Sequence, residues 1–302
     1  MKKVQVLLSS YNGEKYLSEQ LDSIFNQKGV IVHCLVRDDG SDDNTRLILS
    51  EYQQKYSNLE VVFDGNIGYK SSFFTLVQMS GDFDYYAFAD QDDIWKEEKL
   101  SEAVRKIGEI EEDLAVVYCS NCILVDNNLN YINLLNIKEN MIPTSKIKAL
   151  AQGFAHGCTT VFNSNTRNLI IKYKPKQQYA HDFWLPLLVL FLGRVIYDAN
   201  SYILYRQHTN NIFGGRRSLL EVFNYRLKQL KINKNFHSIL ASEILEGYGD
   251  QLTAEDYGML NDVSTYKSSL SKKIKLLFNK KLKRDTVKGT LYLKLLIISS
   301  RF

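Results

Sequence analysis

The chain has 302 residues, of which 45% are apolar and 24% charged, with only three prolines. This is the composition of a folded soluble protein and excludes a collagenous, low-complexity or linker-rich chain. The formal charge of +4 hides an asymmetry: residues 216–302 carry 17 Lys+Arg against 8 Asp+Glu, whereas residues 1–215 carry 21 against 26. No apolar run approaches the roughly 18 residues that span a bilayer. Met1-Lys2-Lys3 leads into a short strand-like run, unlike a signal peptide. A cytoplasmic chain is expected, and four cysteines fit a reducing compartment. The pair Cys119 and Cys122 lacks the second pair that a zinc site needs, so structural thiols are expected.

In chain order, strand and helix signals alternate. Val4 to Leu8 is a continuous apolar-rich run, as in a buried parallel strand. Leu17, Leu21, Ile24 and Phe25 recur at helical spacing. Val30 to Val36 is β-rich, Asp38-Asp39-Gly40-Ser41 reads as a turn, and Ser41 is a candidate N-cap for a helix to about Tyr56. Leu59 to Phe63 predicts a third strand, Tyr69 to Met79 a third helix and Tyr85 to Ala89 a fourth strand. The βαβαβαβ pattern predicts an α/β fold with a mostly parallel sheet flanked by helices, and functional loops at the carboxyl ends of its strands. Further on come a strand at Ala115 to Val125, a strand at Thr159 to Phe162, an apolar helix ending at Gly193, and a strand from Asp198 to Arg206. A boundary is expected at Gly214-Gly215-Arg216-Arg217. It separates a catalytic domain, residues 1–215, from a helical, basic C-terminal region, residues 216–302.

The stretch Phe88-Ala89-Asp90-Gln91-Asp92-Asp93-Ile94-Trp95 carries the chemistry. Three carboxylates follow directly on a buried strand, where they repel each other and resist desolvation. A hard divalent cation, Mg2+ or Mn2+, relieves both penalties. The alternative is a solvated turn leading into a helix capped by Asp93. There is no GxGxxG after the first strand and no GxxxxGK[ST] anywhere, so phosphate binding must use carboxylates, metal and single basic residues.

With Ser10-Tyr11-Asn12-Gly13, Arg37-Asp38-Asp39-Gly40-Ser41, Asn66-Ile67-Gly68, the acidic run and His181-Asp182 in this order, the chain resembles glycosyltransferase family 2, of the GT-A fold. Its finer wording resembles bacterial rhamnosyltransferases that build cell-wall, capsular or O-antigen polysaccharide. The resemblance covers about residues 1–210. It implies a metal-dependent inverting transferase that moves L-rhamnose from dTDP-rhamnose onto a lipid-linked saccharide acceptor. The alternative donor is a UDP-hexose such as UDP-galactose or UDP-glucose. By the same resemblance, Tyr11 stacks on the base with Ser10 and Asn12 beside it, and Asp39 accepts the base N3–H. Lys70 neutralises diphosphate, Asp90 sits near the ribose, and Asp92 holds the metal. Asp182 is the catalytic base, with a helix N-cap as its plain alternative. Arg206 and His208 lie on a segment that closes over the diphosphate, with His208 a third metal ligand or a phosphate donor. His181 replaces the family's usual glutamate and inherits no role. A sugar nucleotidyltransferase should carry a Gly-rich basic loop after the first strand, which Ser9 to Gly13 lacks. A non-catalytic sugar-binding module need not keep both Asp92 and Asp182.

The tail from Ser271 to Lys288 has eight basic residues against Asp285 alone, and Ile274, Leu277, Phe278 and Leu282 are spaced for one helical face. A basic amphipathic helix of this kind suits an anionic membrane surface. The expected location is therefore cytoplasmic and peripheral on the inner face of the cell membrane. The alternative is packing of that face on the catalytic domain. Leu291 to Ile298 reads as an added anchor or a homo-oligomer contact. No nucleic-acid motif accompanies the charge, so no nucleic-acid partner is expected.

Overall fold

Two-sided burial explains the centre of the sheet. In the computed structural model, which describes residues 1–110, 113–136, 141–207 and 235–302, the strand β1 (Lys3–Ser10) is followed by α1 (Leu17–Phe25) and β2 (Ile31–Asp39). Then come α2 (Thr45–Lys55), β3 (Leu59–Asp64), α3 (Tyr69–Met79) and β4 (Tyr85–Ala89). β1, β2, β3 and β4 are parallel neighbours, and all five residues of β4 are buried. That is why its sequence is a continuous apolar run rather than an alternating one. From α1, Leu17, Leu21 and Ile24 pack into the core with no exposed surface.

The sheet continues through β5 (Ile94–Trp95), α4 (Lys99–Ile107), β6 (Val116–Val125) and β7 (Tyr131–Leu134), and later β8 (Val161–Asn163), α6 (Ser164–Lys172), α7 (His181–Leu192) and β9 (Arg194–Arg206). A short helix, α5 (Lys146–Ala151), lies between β7 and β8 in sequence. The strand order is β3-β2-β1-β4-β8-β6-β9-β5, with β7 on β6. β8 is antiparallel to β4 and β6, and β9 runs parallel to β6. This is the expected mixed α/β architecture with a mostly parallel sheet flanked by helices.

Parallel register brings the functional loops together. Ser10 pairs with Asp38, Asp39 with Asp64, and Leu8 with Ala89. The segments that follow, 11–16, 40–44, 65–68 and 90–93, therefore leave the sheet along one edge.

Two expectations about element ends are corrected. β2 does not turn at Asp38 but continues through Asp39, and Ser41 caps no helix: α2 begins at Thr45 after Asn44. Asp93 caps no helix either, because β5 follows it and pairs with β9.

The chain divides into two compact units, Met1–Ile142 with Ala155–His208, and Pro143–Phe154 with Thr209–Phe302. The boundary expected at Gly214-Gly215 and the residue His208 lie outside the described residues. The second unit contains α5 together with α8 (Phe236–Tyr248), α9 (Ala254–Ser264), α10 (Leu270–Phe278) and α11 (Val287–Ile298). Thr253, Ser269 and Thr286 cap α9, α10 and α11 by accepting backbone N–H bonds. Leu240, Ile244, Leu260, Leu293 and Ile297 give the unit its own buried centre. The single helix expected from Ser271 to Lys288 stops at Phe278. The Asn279 side chain accepts the amides of Lys281 and Leu282 at 2.9 and 3.2 Å, which turns the chain and buries Leu282. No helix of the described residues is long and apolar enough to cross a membrane.

Candidate active site

The loop after β1 is held open and shaped. Ser10 is buried and its hydroxyl lies 3.4 Å from Asp38 Oδ1, while the Tyr11 ring is 48% exposed. Asn12 takes a left-handed φ of 49°, which its short polar side chain tolerates. Its amide donates to Ser41 Oγ at 3.0 Å and its Oδ1 accepts the Asp42 amide at 3.0 Å. The Gln91 side chain clasps Tyr11 from the acidic loop: the Tyr11 amide donates to Oε1 at 2.8 Å and Nε2 donates to the Tyr11 carbonyl at 3.0 Å. A Cβ at Gly13 would overlap that same amide, so glycine is required there for the clasp to close. The result is an exposed aromatic face on a fixed backbone, suited to stacking on a planar base.

The two aspartates at the end of β2 are buried and compensated. Asp38 accepts from the Ser41 amide and hydroxyl and from Arg46 Nε at 2.7 Å. Asp39 pairs through Oδ1 with the fully buried Arg37 at 2.5 Å and takes the Ile67 amide at 2.8 Å. Its Oδ2 takes the Gly68 amide at 2.9 Å, which leaves that oxygen one further acceptor position, on a residue only 2% exposed. Arg37 also donates to Asp64 at 3.0 Å and to the Gly65 carbonyl at 2.9 Å. Thus Arg37-Asp38-Asp39 ties the segment 65–68 to the sheet edge.

The acidic run behaves as a cluster short of positive charge. Burial, then the charges of Asp92 and Asp182, push the Asp90 carboxyl up to about 7. Burial raises Asp182 to about 6, offset in part by its own backbone amide and by Lys70. Asp93 is raised well above the carboxylate range by burial, Asp92 and Asp90, and its Oδ2 is buried without a hydrogen-bond partner. Asp90, Asp93 and Cys158 place potential ligand atoms within 4.8 Å of one another. Raised, mutually repelling carboxylates and an orphaned buried oxygen fit a hard divalent cation. Cys158 fits it poorly, because burial drives its thiol far up and thiolate is a soft ligand.

Asp182 lies in the first turn of α7, and the cap position belongs to Ala180. Beside it, half-buried Lys70 from the first turn of α3 donates to the Gln178 carbonyl at 3.4 Å. His181 is packed between Phe73 and Phe88, at 3.9 and 4.7 Å between ring centroids, and burial lowers it to about 3. A Cβ at Gly157 would overlap this imidazole, so the glycine makes room for the ring that precedes Asp182.

Arg206 was expected over a diphosphate. The structure places it 2% exposed, with Nε donating to the Asp92 carbonyl at 3.1 Å and Nη1 to the Asn127 carbonyl at 2.9 Å. Nη2 pairs with Glu19, the guanidinium lies over the Tyr16 ring at 4.5 Å, and the backbone amide approaches Asp93 Oδ1 at 3.4 Å. Of these contacts, those to the Asp92 carbonyl and Asp93 Oδ1 reach the acidic loop. Trp95 and Trp184 are both core residues.

Several participants went unread in the sequence. Gln91 lies inside the acidic motif itself, whose three carboxylates, Asp93 included, read as a cluster in the sequence. Lys99 is buried near Asp93 and Cys158, with its ammonium 3.4 Å from the Trp95 ring centroid, and burial lowers it to about 7. Its signal was a lysine at an apolar position of an amphipathic helix, one residue before Leu100.

Comparison with known proteins agrees with the fold. The chain is 29% identical over 244 residues to the dTDP-rhamnosyl transferase RfbG of Shigella flexneri, covering 76% of this chain and 79% of that protein. It is 28% identical over 191 residues to the UDP-Glc:alpha-D-GlcNAc-diphosphoundecaprenol beta-1,3-glucosyltransferase WfgD of Escherichia coli, covering 62% of this chain and 69% of that protein. Among solved structures, S. aureus TarS in complex with UDP-GlcNAc shares the fold with a TM-score of 0.59 at 20% identity, over 87% of this chain and 71% of that one. The Pyrobaculum calidifontis mannosyltransferase PcManGT, in complex with GDP-Man and Mn2+, gives 0.52 at 13%, over 97% and 86%. The family model of glycosyl transferase family 2 matches residues 5–173, more than half of the chain, including the loop after β1 and the acidic run. The chain therefore belongs to glycosyl transferase family 2 and is a glycosyltransferase of GT-A fold.

Proposed function

We propose that this enzyme transfers a sugar with inversion from a nucleoside diphosphate donor to a hydroxyl of a lipid-linked saccharide. The observation that carries the proposal is the electrostatic coupling of Asp90 and Asp182, with Lys70 beside Asp182. These groups come from the loop after β4, from α7 and from α3, and converge where a donor's diphosphate and an acceptor's hydroxyl must meet. Tyr11 stacks on the base, Ser10 and Asn12 shape its loop, and Asp39 offers Oδ2 to the base N3–H. Asp90 faces the ribose side. Asp182 removes the proton from the acceptor hydroxyl as its oxygen attacks the anomeric carbon. The bond from that carbon to the diphosphate oxygen breaks, and Lys70 neutralises part of the charge that develops on the leaving group.

Asp92, with Asp90 and Asp93 beside it, would hold Mg2+ or Mn2+, and the bound cation supplies Lewis-acid neutralisation of the leaving diphosphate. His208 is a further candidate ligand. Arg206 acts from behind, by fixing the Asp92 carbonyl.

L-Rhamnose from dTDP-rhamnose is the favoured donor, because RfbG is named for it and aligns over most of both chains. A UDP-hexose is the second reading, favoured by the UDP-Glc in the name of WfgD. That name also carries a diphosphoundecaprenol acceptor, which supports a lipid-linked acceptor and a peripheral place on the inner face of the cell membrane. In this reading the sheet-bearing unit is catalytic and the helical unit serves surface attachment. Donor hydrolysis measured across dTDP-rhamnose, UDP-glucose and UDP-galactose, with Mg2+, Mn2+ or chelator, tests the assignment. Turnover of dTDP-rhamnose alone, and only with cation, is the expected result. Turnover of none of them refutes it.

A further inference from the structure

The second unit ends in a hairpin with an outer surface that its own core does not use. Lys273, early in α10, donates to the Ile298 carbonyl at the end of α11 at 2.7 Å, and Lys294 donates to the Leu276 and Asn279 carbonyls at 3.1 Å each. The two helices therefore run antiparallel. Leu276, Leu293 and Ile297 face inward and are buried. On the other side, α10 presents Leu270, Ile274 and Phe278, and α11 presents Val287, Leu291 and Leu295, at spacings of four residues. Phe278 is 75% exposed and Val287 78%. Large apolar side chains at this density are uncommon on a free surface.

The charge around the stripes decides what covers them. Lys272 and Lys275 are paired with Asp262, and Arg284 is bonded to the Ala151 carbonyl. Lys280, Lys281, Lys283 and Lys288 are exposed and form no ion pair among the described residues. They lie on the turn and first residues that join the two stripes. A second copy of the chain, docked through this face, would present the same positive sign and bring these lysines no counter-charge. An anionic surface would neutralise them and bury the apolar stripes.

We infer that the outer face of the α10–α11 hairpin docks on an anionic lipid bilayer, with Phe278 and Leu291 entering the acyl boundary and the four lysines on the headgroups. The inference deepens the membrane-surface location proposed above, on which it rests, but its binding arms need no glycosyl transfer. Both determinants are needed, because single weak signals give only marginal attachment.

Flotation of the full chain with phosphatidylglycerol or phosphatidylcholine vesicles tests it. Binding is expected to phosphatidylglycerol only, and to fall sharply at about 0.5 M salt, where the Debye length is a few ångströms. The quadruple variant Lys280→Gln, Lys281→Gln, Lys283→Gln, Lys288→Gln should partition about 10³-fold more weakly. Phe278→Ser with Leu291→Ser should weaken it by about 10-fold or more. Donor hydrolysis in solution should be unchanged in all variants. Equal flotation of wild type and both variants overturns the inference. So does a dimer in sedimentation velocity that the double-serine variant converts to monomer while vesicle binding is absent throughout. Loss of donor hydrolysis in the wild type with vesicle binding intact sinks the transferase reading and leaves the docking surface standing.

Discussion

The Gln91 side chain and the Tyr11 backbone exchange two hydrogen bonds, at 2.8 and 3.0 Å, and so join the loop after β1 to the acidic loop across 80 residues of chain. The amide stands in for a strand edge: it gives and accepts as a peptide group would. The position of the exposed aromatic ring is thereby fixed relative to Asp90 and Asp92.

Gln91→Leu removes both bonds and strands a carbonyl and an amide. At about 1 kcal/mol for each bond, nucleoside diphosphate affinity should fall by about 10-fold or more. Calorimetric titration with UDP and dTDP reads the effect. An unchanged affinity would mean that the clasp does not organise the base site.

Asp182→Asn should lose about 10²- to 10⁴-fold in transfer, since an amide does not accept the hydroxyl proton at neutral pH. Nucleotide affinity should stay near wild type. Because burial raises Asp182 to about 6, the ionised base is lost as pH falls through that value. The rate should therefore be level above it and decline about tenfold per pH unit below. A transfer rate that is flat down to about pH 5 would remove Asp182 from proton transfer.

Arg37→Met should destabilise the fold by about 3–5 kcal/mol, because it leaves Asp39 buried without its cation. Urea unfolding measures this. A loss below about 1 kcal/mol would show that the backbone amides of Gly65, Ile67 and Gly68, which also donate to Asp64 and Asp39, suffice.

These residues show why some of the chain was legible and some was not. β4 was placed to the residue, since an apolar run bounded by Asp84 and Asp90 has one reading. The end of β2 was misplaced because buried Asp38 is compensated by Arg46 from α2, while the partner of Asp39, Arg37, lies two residues back on the same strand. The pairing between elements is what a local pattern cannot show. The same holds for Arg206, whose partner Glu19 is 187 residues away. The acidic motif was evident from its position after a buried strand, but the inward turn of Asp93 depends on the pairing of β5 with β9. The amphipathic tail was legible as composition. Its division at Asn279 into two helices was not, because a side-chain turn rather than glycine or proline ends α10.

Gly157→Ala should reduce transfer while leaving nucleotide affinity within a few-fold. The added methyl displaces His181 and with it the backbone that presents Asp182. Steady-state kinetics separates the two effects, since displacement of a base lowers kcat rather than raising KM. A variant with wild-type kcat would show that the imidazole adapts without moving Asp182.

The most direct test of the acidic run as the centre of catalysis is turnover of dTDP-rhamnose by wild type and Asp92→Asn, each with Mn2+ and with chelator. Asparagine keeps the size and backbone carbonyl that Arg206 holds, and removes only the charge. The expected result is cation-dependent turnover in wild type and none above background in the variant, with both proteins melting alike. Equal turnover by the two proteins, or wild-type turnover indifferent to chelator, would contradict the account.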